Sequence, residues 1–159
     1  MASMAIEMRL LRNGDESALA NVAPDVFDDP IDLRATFEFL SDHRHHLAVA
    51  IDDGLVVGFA SAVLYVHPDK PRPELWINEV GVAPTHHRRG IGRKLLEVLL
   101  DMGRSRDCAE AWVLTHRSNH AAMHLYASVG GHEDPDNPVM FTFFLDAEHH
   151  SGAEESVRR

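Results

Sequence analysis

The spacing of apolar and polar positions divides the chain into short strands and longer helices. Compact apolar or alternating runs predict strands, and apolar residues recurring every three or four positions predict helices. The predicted strands cover 6–11, 47–51, 55–66, 74–82, 109–115 and 139–145. The predicted helices cover 15–22, 31–42, 90–104 and 119–129. This order predicts a mixed α/β fold, in which the strand–helix–strand unit around the third helix is parallel.

Turn and capping residues mark several boundaries between these elements. Asp53 and Gly54 lie between two β-branched runs, which is the strongest short-range signal for a hairpin. Gly130 and Gly131 follow the last predicted helix and predict its C-terminal cap. The longest predicted helix has a continuous apolar face, made of Ile91, Leu95, Leu96, Val98, Leu99 and Met102.

Length and composition indicate one globular domain. The chain has 159 residues, of which 45% are hydrophobic and 25% charged, and this is an ordinary globular composition. We expect the domain to cover 1–147 and a polar, disordered tail to cover 148–159. No apolar run reaches the ~18 residues of a membrane span, and the first residues do not resemble a secretory signal. We therefore expect a cytoplasmic protein with no membrane partner.

The distribution of charge limits the classes of ligand. The net charge is −10, and residues 14–53 hold ten acidic residues against two basic ones. Residues 86–94, in contrast, hold four of the fifteen lysines and arginines. Generic nucleic-acid binding requires a broad basic face, so we expect no nucleic-acid partner. A short basic cluster beside glycines instead favours a small anionic ligand, although basic residues at a solvated helix start are the simpler alternative.

The basic cluster lies at a helix start that suits phosphate. Gly90, Ile91 and Gly92 open the longest predicted helix, directly after Arg88 and Arg89. A helix N-terminus presents unpaired N–H groups and the positive end of the helix dipole. Glycine lets the main chain approach an oxyanion closely, and arginine adds charge-assisted hydrogen bonds. The segment therefore predicts a pyrophosphate site.

Two common nucleotide motifs do not fit this segment. A Walker loop requires G-x-x-x-x-G-K-[ST], which the chain does not contain at this position. A dinucleotide fingerprint requires G-x-G-x-x-G/A, but Leu95 occupies the third small position. Both interpretations fail on spacing.

Two motifs resemble those of the GNAT superfamily of N-acetyltransferases. The segment His87-Arg-Arg-Gly-Ile-Gly92 is similar to the family's acetyl-CoA motif [QR]-x-x-G-x-[GA], with His87 standing where Gln or Arg is usual. The segment that runs from Asn119 to Gly130 is similar to its second signature, N-x-x-A-x-x-L-Y-x-x-x-G. The likeness covers about 6–146. It implies a GNAT-like fold with a central, mostly antiparallel sheet and flanking helices, and acetyl-CoA as cosubstrate.

The resemblance and the local chemistry together assign a set of cofactor contacts. Main-chain donors near Val80 and Val82 are expected to hold the thioester carbonyl and pantetheine, and a β-bulge there, helped by Gly81, would leave such groups unpaired. Asn119 is expected to cap its helix and to touch the cofactor. The full set of predicted cofactor-binding residues is Val80, Val82, His87, Arg88, Arg89, Gly90, Ile91, Gly92 and Asn119.

Acetyl transfer to an amine requires a base and an acid. Glu79 lies near the carboxyl end of the strand before the basic turn, which comprises residues 86–90, and is the predicted general base. Tyr126 lies in the second motif and is the predicted general acid that protonates the leaving thiolate. The alternatives are a surface carboxylate for Glu79 and a core tyrosine for Tyr126.

Other reactive residues favour structural roles. Cys108 is the only cysteine, which excludes an intrachain disulfide, and packing is favoured over a nucleophilic role. Two histidine groups have spacings that could ligate a metal, but solvated histidine is the default and we predict no metal site. These groups are His43, His45 and His46, and His116, His120 and His124.

The resemblance implies that the helices after the first strand and the final loop wall the acceptor site. Acidic residues in these regions predict a cationic amine as the acceptor, although acidic surfaces also serve solubility. The predicted substrate-binding residues are Asp28, Asp29, Glu79 and Asp146. Three stretches, 27–29, 63–82 and 138–146, are similar to aminoglycoside 3-N-acetyltransferases, in which an Asp stands at the position of Glu79. The resemblance implies acetylation of an aminoglycoside at its 3-amino group.

Three alternatives remain open from the sequence. One is acetylation of another amine, such as a polyamine, a small metabolite or a protein N-terminus. Another is a non-catalytic sensor that binds acetyl-CoA. The strand edges near 141–144 also leave a homodimer open as the quaternary structure.

Overall fold

The structure is a computed structural model that describes residues 5–146. The strands are β1 (Glu7–Leu11), β2 (His45–Asp52), β3 (Leu55–Tyr65), β4 (Glu74–Val82) and β5 (Ala111–Val113). The helices are α1 (Leu33–Ser41), α2 (Ile91–Ser105) and α3 (His120–Ser128). Two short 3₁₀ helices cover Glu16–Ala20 and Pro84–His86.

The strands form one sheet in the order β1-β2-β3-β4-β5. The first three pairings are antiparallel, and β4 pairs in parallel with β5 after the crossover through α2. This confirms the predicted mixed α/β fold, with a mostly antiparallel sheet and one parallel strand–helix–strand unit. The predicted hairpin is confirmed as well: Asp53 and Gly54 have φ values of +50° and +77° between β2 and β3, as a type I′ turn requires.

The core lies on both faces of the sheet. A Cβ added to Gly58 would meet Ile91 and Leu95 of α2 at 3.2 Å, so this position faces α2. The next residue, Phe59, stacks on Phe27 on the opposite face, because successive strand residues point to opposite faces. The predicted apolar face of α2 is confirmed, with all its members buried except the half-buried Val98.

The predicted strand over 139–145 is wrong. These residues are irregular and exposed, although their composition favours a strand. A strand needs a paired edge for its main-chain groups, and no strand of the described chain pairs with this segment. The expected tail over 148–159 lies outside the described residues. Among residues 5–146, no helix is both long enough and apolar enough to cross a bilayer.

A buried histidine makes stability depend on pH. His46 on β2 is buried, and its Nε2 has no hydrogen-bond partner within the described chain. Burial, followed by the positive charge of Arg106, lowers the pKa of His46 from 6.5 to about 4. The unfolded state therefore binds this proton first as the pH falls. We expect the free energy of unfolding to drop between pH 6.5 and 4, by roughly 2–3 kcal/mol from this residue.

Urea unfolding at pH 7.5 and at pH 4.5 tests this expectation. The variant His46→Leu should lose less unfolding free energy between these two pH values than the wild type. His124 on α3 provides the matched control, because it is exposed and is not among the charges that act on His46, so His124→Gln should leave this pH dependence in place. An equal loss in His46→Leu and the wild type contradicts the prediction.

Candidate active site

A cavity of about 430 Å³ opens between α1, the segment before it and the sheet. Its apolar wall includes Phe27 and Phe59, whose ring centroids stack 4.0 Å apart. Four carboxylates line it, and none of its lining residues is a lysine or arginine. The carboxylates are those of Asp28, Asp29, Asp32 and Glu79. The structure therefore brings together three of the four predicted substrate-binding residues.

Glu79 is placed to exchange a proton in this cavity. It lies on β4 opposite Ser61, which also lines the cavity. Burial raises the pKa of the Glu79 carboxyl above its usual value, and the negative charge of Asp28 raises this pKa further. The carboxylate makes no side-chain hydrogen bond or ion pair within the described part of the chain. It is thus free to accept a proton from a bound molecule.

The predicted β-bulge is present, but it lies just before Val80 and does not involve Gly81. The pairing of β3 with β4 shifts register at Asn78, while Gly81 pairs regularly with Phe59. Gly81 is instead required by a close approach of the chain, because an added Cβ would lie 2.5 Å from the carbonyl oxygen of Val26. The absence of a side chain at Gly81 lets the segment before α1 pack directly on β4 at Val26.

The strands β4 and β5 separate beside Glu79. They pair only through Leu75, Trp76 and Ile77 of β4. Beyond this point the edge of β4 that faces β5 has no strand partner among residues 5–146. The predicted donors Val80 and Val82 lie in this separated stretch, which leaves main-chain groups available to an extended ligand.

The basic turn ends in an open helix N-terminus. Gly90 caps α2 with φ +73°, and Arg88 also has positive φ, at +60°. The first intrahelical bond runs from Lys94 N to Gly90 O over 3.1 Å, and no side chain caps the helix. The N–H groups of Ile91, Gly92 and the next residue therefore lack intrahelical partners. This is the donor arrangement that binds phosphate.

Two histidines hold the basic turn in place. The Nε2 of His87 lies 2.8 Å from the carbonyl oxygen of Val82 and carries the proton, because a carbonyl oxygen only accepts. The Nε2 of His86 lies 2.9 Å from Asp52, and Arg89 lies 3.9 Å from the same carboxylate. Sequence reasoning missed Asp52 and His86, because they are 34 positions apart and neither belongs to a motif.

The helix α3 packs against the start of α2. Asn119 caps α3 by accepting a hydrogen bond from Ala122 N at 3.1 Å, which confirms its predicted capping role. A Cβ added to Gly92 would lie 3.2 Å from Leu125, so the glycine allows the two helices to approach closely. Tyr126, the next residue, is half-buried, and burial raises the pKa of its phenol. Tyr126 therefore stays protonated at neutral pH.

The remaining candidates do not join the cavity. Asp146 is exposed and is not among the residues that line it.

Within residues 5–146, no three His, Cys, Asp or Glu side chains are grouped so that they could hold a metal ion. Cys108 is half-buried next to Gly103, and burial raises the pKa of its thiol.

The chain is similar to known proteins in sequence and in fold. A profile of the acetyltransferase (GNAT) family matches residues 14–130. The N-alpha-acetyltransferase RimI of Mycobacterium tuberculosis is 32% identical over 122 residues, which cover 76% of this chain and 74% of the relative.

Two solved structures share the fold. One is an aminoglycoside acetyltransferase from an uncultured soil metagenomic sample, in complex with sisomicin. It matches with a TM-score of 0.76 at 18% identity, and the match covers 89% of this chain and 97% of that one. The other is the aminoglycoside N-acetyltransferase AAC(6')-Iy in complex with CoA. It matches with a TM-score of 0.70 at 21% identity and covers 92% and 98% of the two chains.

Proposed function

The chain belongs to the GNAT family of acetyltransferases, and from this premise we propose that it acetylates the 3-amino group of an aminoglycoside, using acetyl-CoA. The observation that carries the choice of acceptor is the cavity around Glu79. Its lining holds four carboxylates and no lysine or arginine. Such a site concentrates cations by its negative potential, and an aminoglycoside carries several ammonium groups on one compact body.

The turn before α2 and the separated edge of β4 fit acetyl-CoA. The free N–H groups at the start of α2 would bind the pyrophosphate, together with the side chains of Arg88 and Arg89. Arg88 has no ion pair in the part of the chain that the structure describes, so its charge is available to the ligand. The main chain at Val80 and Val82 would bind the pantetheine and the thioester carbonyl.

Glu79 and Tyr126 would divide the proton transfers. Glu79 accepts a proton from the acceptor nitrogen as the new C–N bond forms at the acetyl carbon. Tyr126 donates its phenolic proton to the sulfur as the C–S bond breaks. The raised pKa of Glu79 suits its role as a base. A carboxylate of higher pKa is a stronger base, and the raised pKa of Tyr126 keeps its phenol protonated at neutral pH.

Acetylation of a protein N-terminus is the second candidate. The relative from Mycobacterium tuberculosis is an N-alpha-acetyltransferase and is 32% identical to this chain. The apolar side of the cavity, with Phe27, Phe39 and Phe59, would accommodate the first side chain of a peptide. The four carboxylates favour the polycationic acceptor over this one.

An acceptor panel with acetyl-CoA and a thiol reagent tests the proposal. The panel contains gentamicin, sisomicin, spermidine and a peptide with an N-terminal alanine. We expect thiol release with the aminoglycosides at a kcat/KM at least 100-fold above that for the peptide, and an NMR spectrum of the product that places the acetyl group on the 3-amino nitrogen. Turnover of the peptide alone supports the second candidate. Acetyl-CoA binding without turnover of any amine supports a sensor.

Neutralising Asp28 should move the pH profile. Because the charge of Asp28 raises the pKa of Glu79, the acid limb of kcat/KM in Asp28→Asn should lie at lower pH than in the wild type. Asp29 lines the same cavity and is the matched control, since it is not among the charges that act on Glu79. An acid limb that stays in place in Asp28→Asn contradicts this coupling.

Removing the charge of Asp52 should weaken acetyl-CoA binding without altering the chemistry. The carboxylate fixes His86 and lies near Arg89, so Asp52→Asn should raise the KM for acetyl-CoA roughly 5- to 20-fold, equivalent to about 1–2 kcal/mol. The kcat should stay within twofold of the wild type. Asp53→Asn, at the neighbouring exposed turn position, is the control. A loss of kcat with unchanged KM argues against a positioning role.

A further inference from the structure

A buried serine in the cavity around Glu79 has a hydroxyl without a partner. Ser61 is the one polar side chain in the buried stretch 56–62 of β3, and it is only 9% exposed. It lines the cavity, and its hydroxyl makes no hydrogen bond within residues 5–146. Burying a hydroxyl without a partner costs free energy. The position of Ser61 therefore suits a hydrogen bond to a bound molecule.

The same cavity has a second buried hydroxyl, which is satisfied within the protein. Thr36 on α1 is 8% exposed and also lines the cavity. Its Oγ1 donates to the main-chain oxygen of Asp32 at 2.8 Å. The two hydroxyls are alike in burial, so burial in this cavity does not by itself leave a hydroxyl without a partner. The free hydroxyl is particular to Ser61.

The bulge in β4 brings Glu79 onto the same face of the sheet as Ser61. Leu75 faces α2, since a Cβ added to Gly103 would lie 3.2 Å from it, and strict alternation would place Glu79 on that face too. The extra residue Asn78 reverses the alternation, so that Glu79 pairs with Ser61 and lines the cavity. The Cβ atoms of directly opposite residues lie roughly 4.5–5.5 Å apart. Both side chains can therefore reach one bound atom.

The nitrogen of a primary amine matches this pair of groups. When its lone pair points at the acetyl carbon, two N–H bonds remain. Glu79 takes the proton of one N–H as the C–N bond forms, and the Ser61 oxygen accepts a hydrogen bond from the other. The second N–H stays on the nitrogen and becomes the amide N–H of the product. A secondary amine has a single N–H, which Glu79 must take, and this leaves Ser61 without a donor.

We propose that Ser61 binds the reacting nitrogen together with Glu79 and restricts the enzyme to primary amines. The proposal rests on the proposed acetyl transfer with Glu79 as the base, whichever amine is the acceptor. A site that hydrogen-bonds an N–H of its substrate discriminates strongly against an analogue that lacks this group, because the polar group of the site is then left unpaired.

Kinetics with a matched pair of acceptors test the role of Ser61. The pair is the best acceptor of the panel and its derivative with one methyl group on the acetylated nitrogen. The wild type should prefer the primary amine by at least roughly 20-fold in kcat/KM. In Ser61→Ala, the kcat/KM for the primary amine should fall roughly 3- to 10-fold, because one hydrogen bond is lost. The value for the methylated amine should not fall, because alanine leaves more room for the methyl group.

Thr36→Val is the matched control. It removes the other buried hydroxyl of the cavity, which already has a partner within the protein, and it should leave the ratio of the two kcat/KM values unchanged. Urea unfolding provides a readout that does not require activity. Ser61→Ala should be at least as stable as the wild type, because the lost hydroxyl has no partner in the described part of the chain.

Three results overturn the proposal while leaving the proposed acetyl transfer in place. They are an equal loss for both amines in Ser61→Ala, an unchanged rate for the primary amine, and a lower free energy of unfolding of this variant. The first and third assign Ser61 a structural role, and the second shows that it does not contact the amine. If the wild type turns over no amine of the panel, the proposed acetyl transfer is wrong, and the role of Ser61 fails with it.

Discussion

Glu79→Gln is expected to lower the kcat/KM for the amine by 10²–10⁴-fold, which is the usual contribution of a general base. Glutamine keeps the shape and size of the side chain but cannot accept the proton that the attacking amine must lose. The affinity for acetyl-CoA should stay the same, because Glu79 lines the acceptor cavity and not the turn before α2. Steady-state kinetics and calorimetry with acetyl-CoA measure the two effects separately.

The control for this substitution lies on the same strand. Glu74→Gln removes a carboxylate from the other end of β4, away from the cavity, and should leave the rate within twofold of the wild type. If Glu79→Gln retained the wild-type rate across the pH range, the assignment of the base would be wrong. If neither the wild type nor the variants turned over any amine while binding acetyl-CoA normally, the chain would be a sensor.

Tyr126→Phe is expected to lower kcat by roughly 10²-fold, at the low end of the contribution of a general acid. Phenylalanine preserves the ring that packs against the core, so the free energy of unfolding should change little. The phenol has a raised pKa, so ionisation of Tyr126 should not limit the activity of the wild type at neutral pH. Pre-steady-state thiol release measures the step in which Tyr126 acts.

Tyr65→Phe is the matched control for this loss. Tyr65 is exposed at the end of β3 and lies outside the cavity, so its variant should keep full activity. A kcat for Tyr126→Phe within twofold of the wild type would show that Tyr126 is a core residue and that the thiolate leaves without an acid.

Local signals in the sequence predicted several of the helix and strand boundaries around the site correctly. Gly90 was predicted to open α2 and Asn119 to cap α3, and the two residues are the N-caps of these helices. The strand that ends at Val82 has its predicted bounds of 74–82. These predictions succeed because caps, turns and short strands depend on neighbouring residues.

Contacts between distant parts of the chain could not be predicted in this way. The bond between Asp52 and His86 joins two turns that only the sheet brings together. Gly81 was expected to form a bulge, but the structure shows that it allows a close approach by Val26. The apolar segment 139–145 has the composition of a strand and lacks the edge that would make it one.

The sequence by itself determined the family, the order of the elements and the basic helix start that suits a diphosphate, because each depends on residues that are close together in the chain. Only the tertiary structure decided where the acidic residues lie. Folding places Asp28, Asp29 and Asp32 around Glu79, although about fifty positions separate them from it. The physical reason is that charge acts through space, so the raised pKa of Glu79 and the proposed preference for a cationic acceptor depend on how the sheet and α1 pack together.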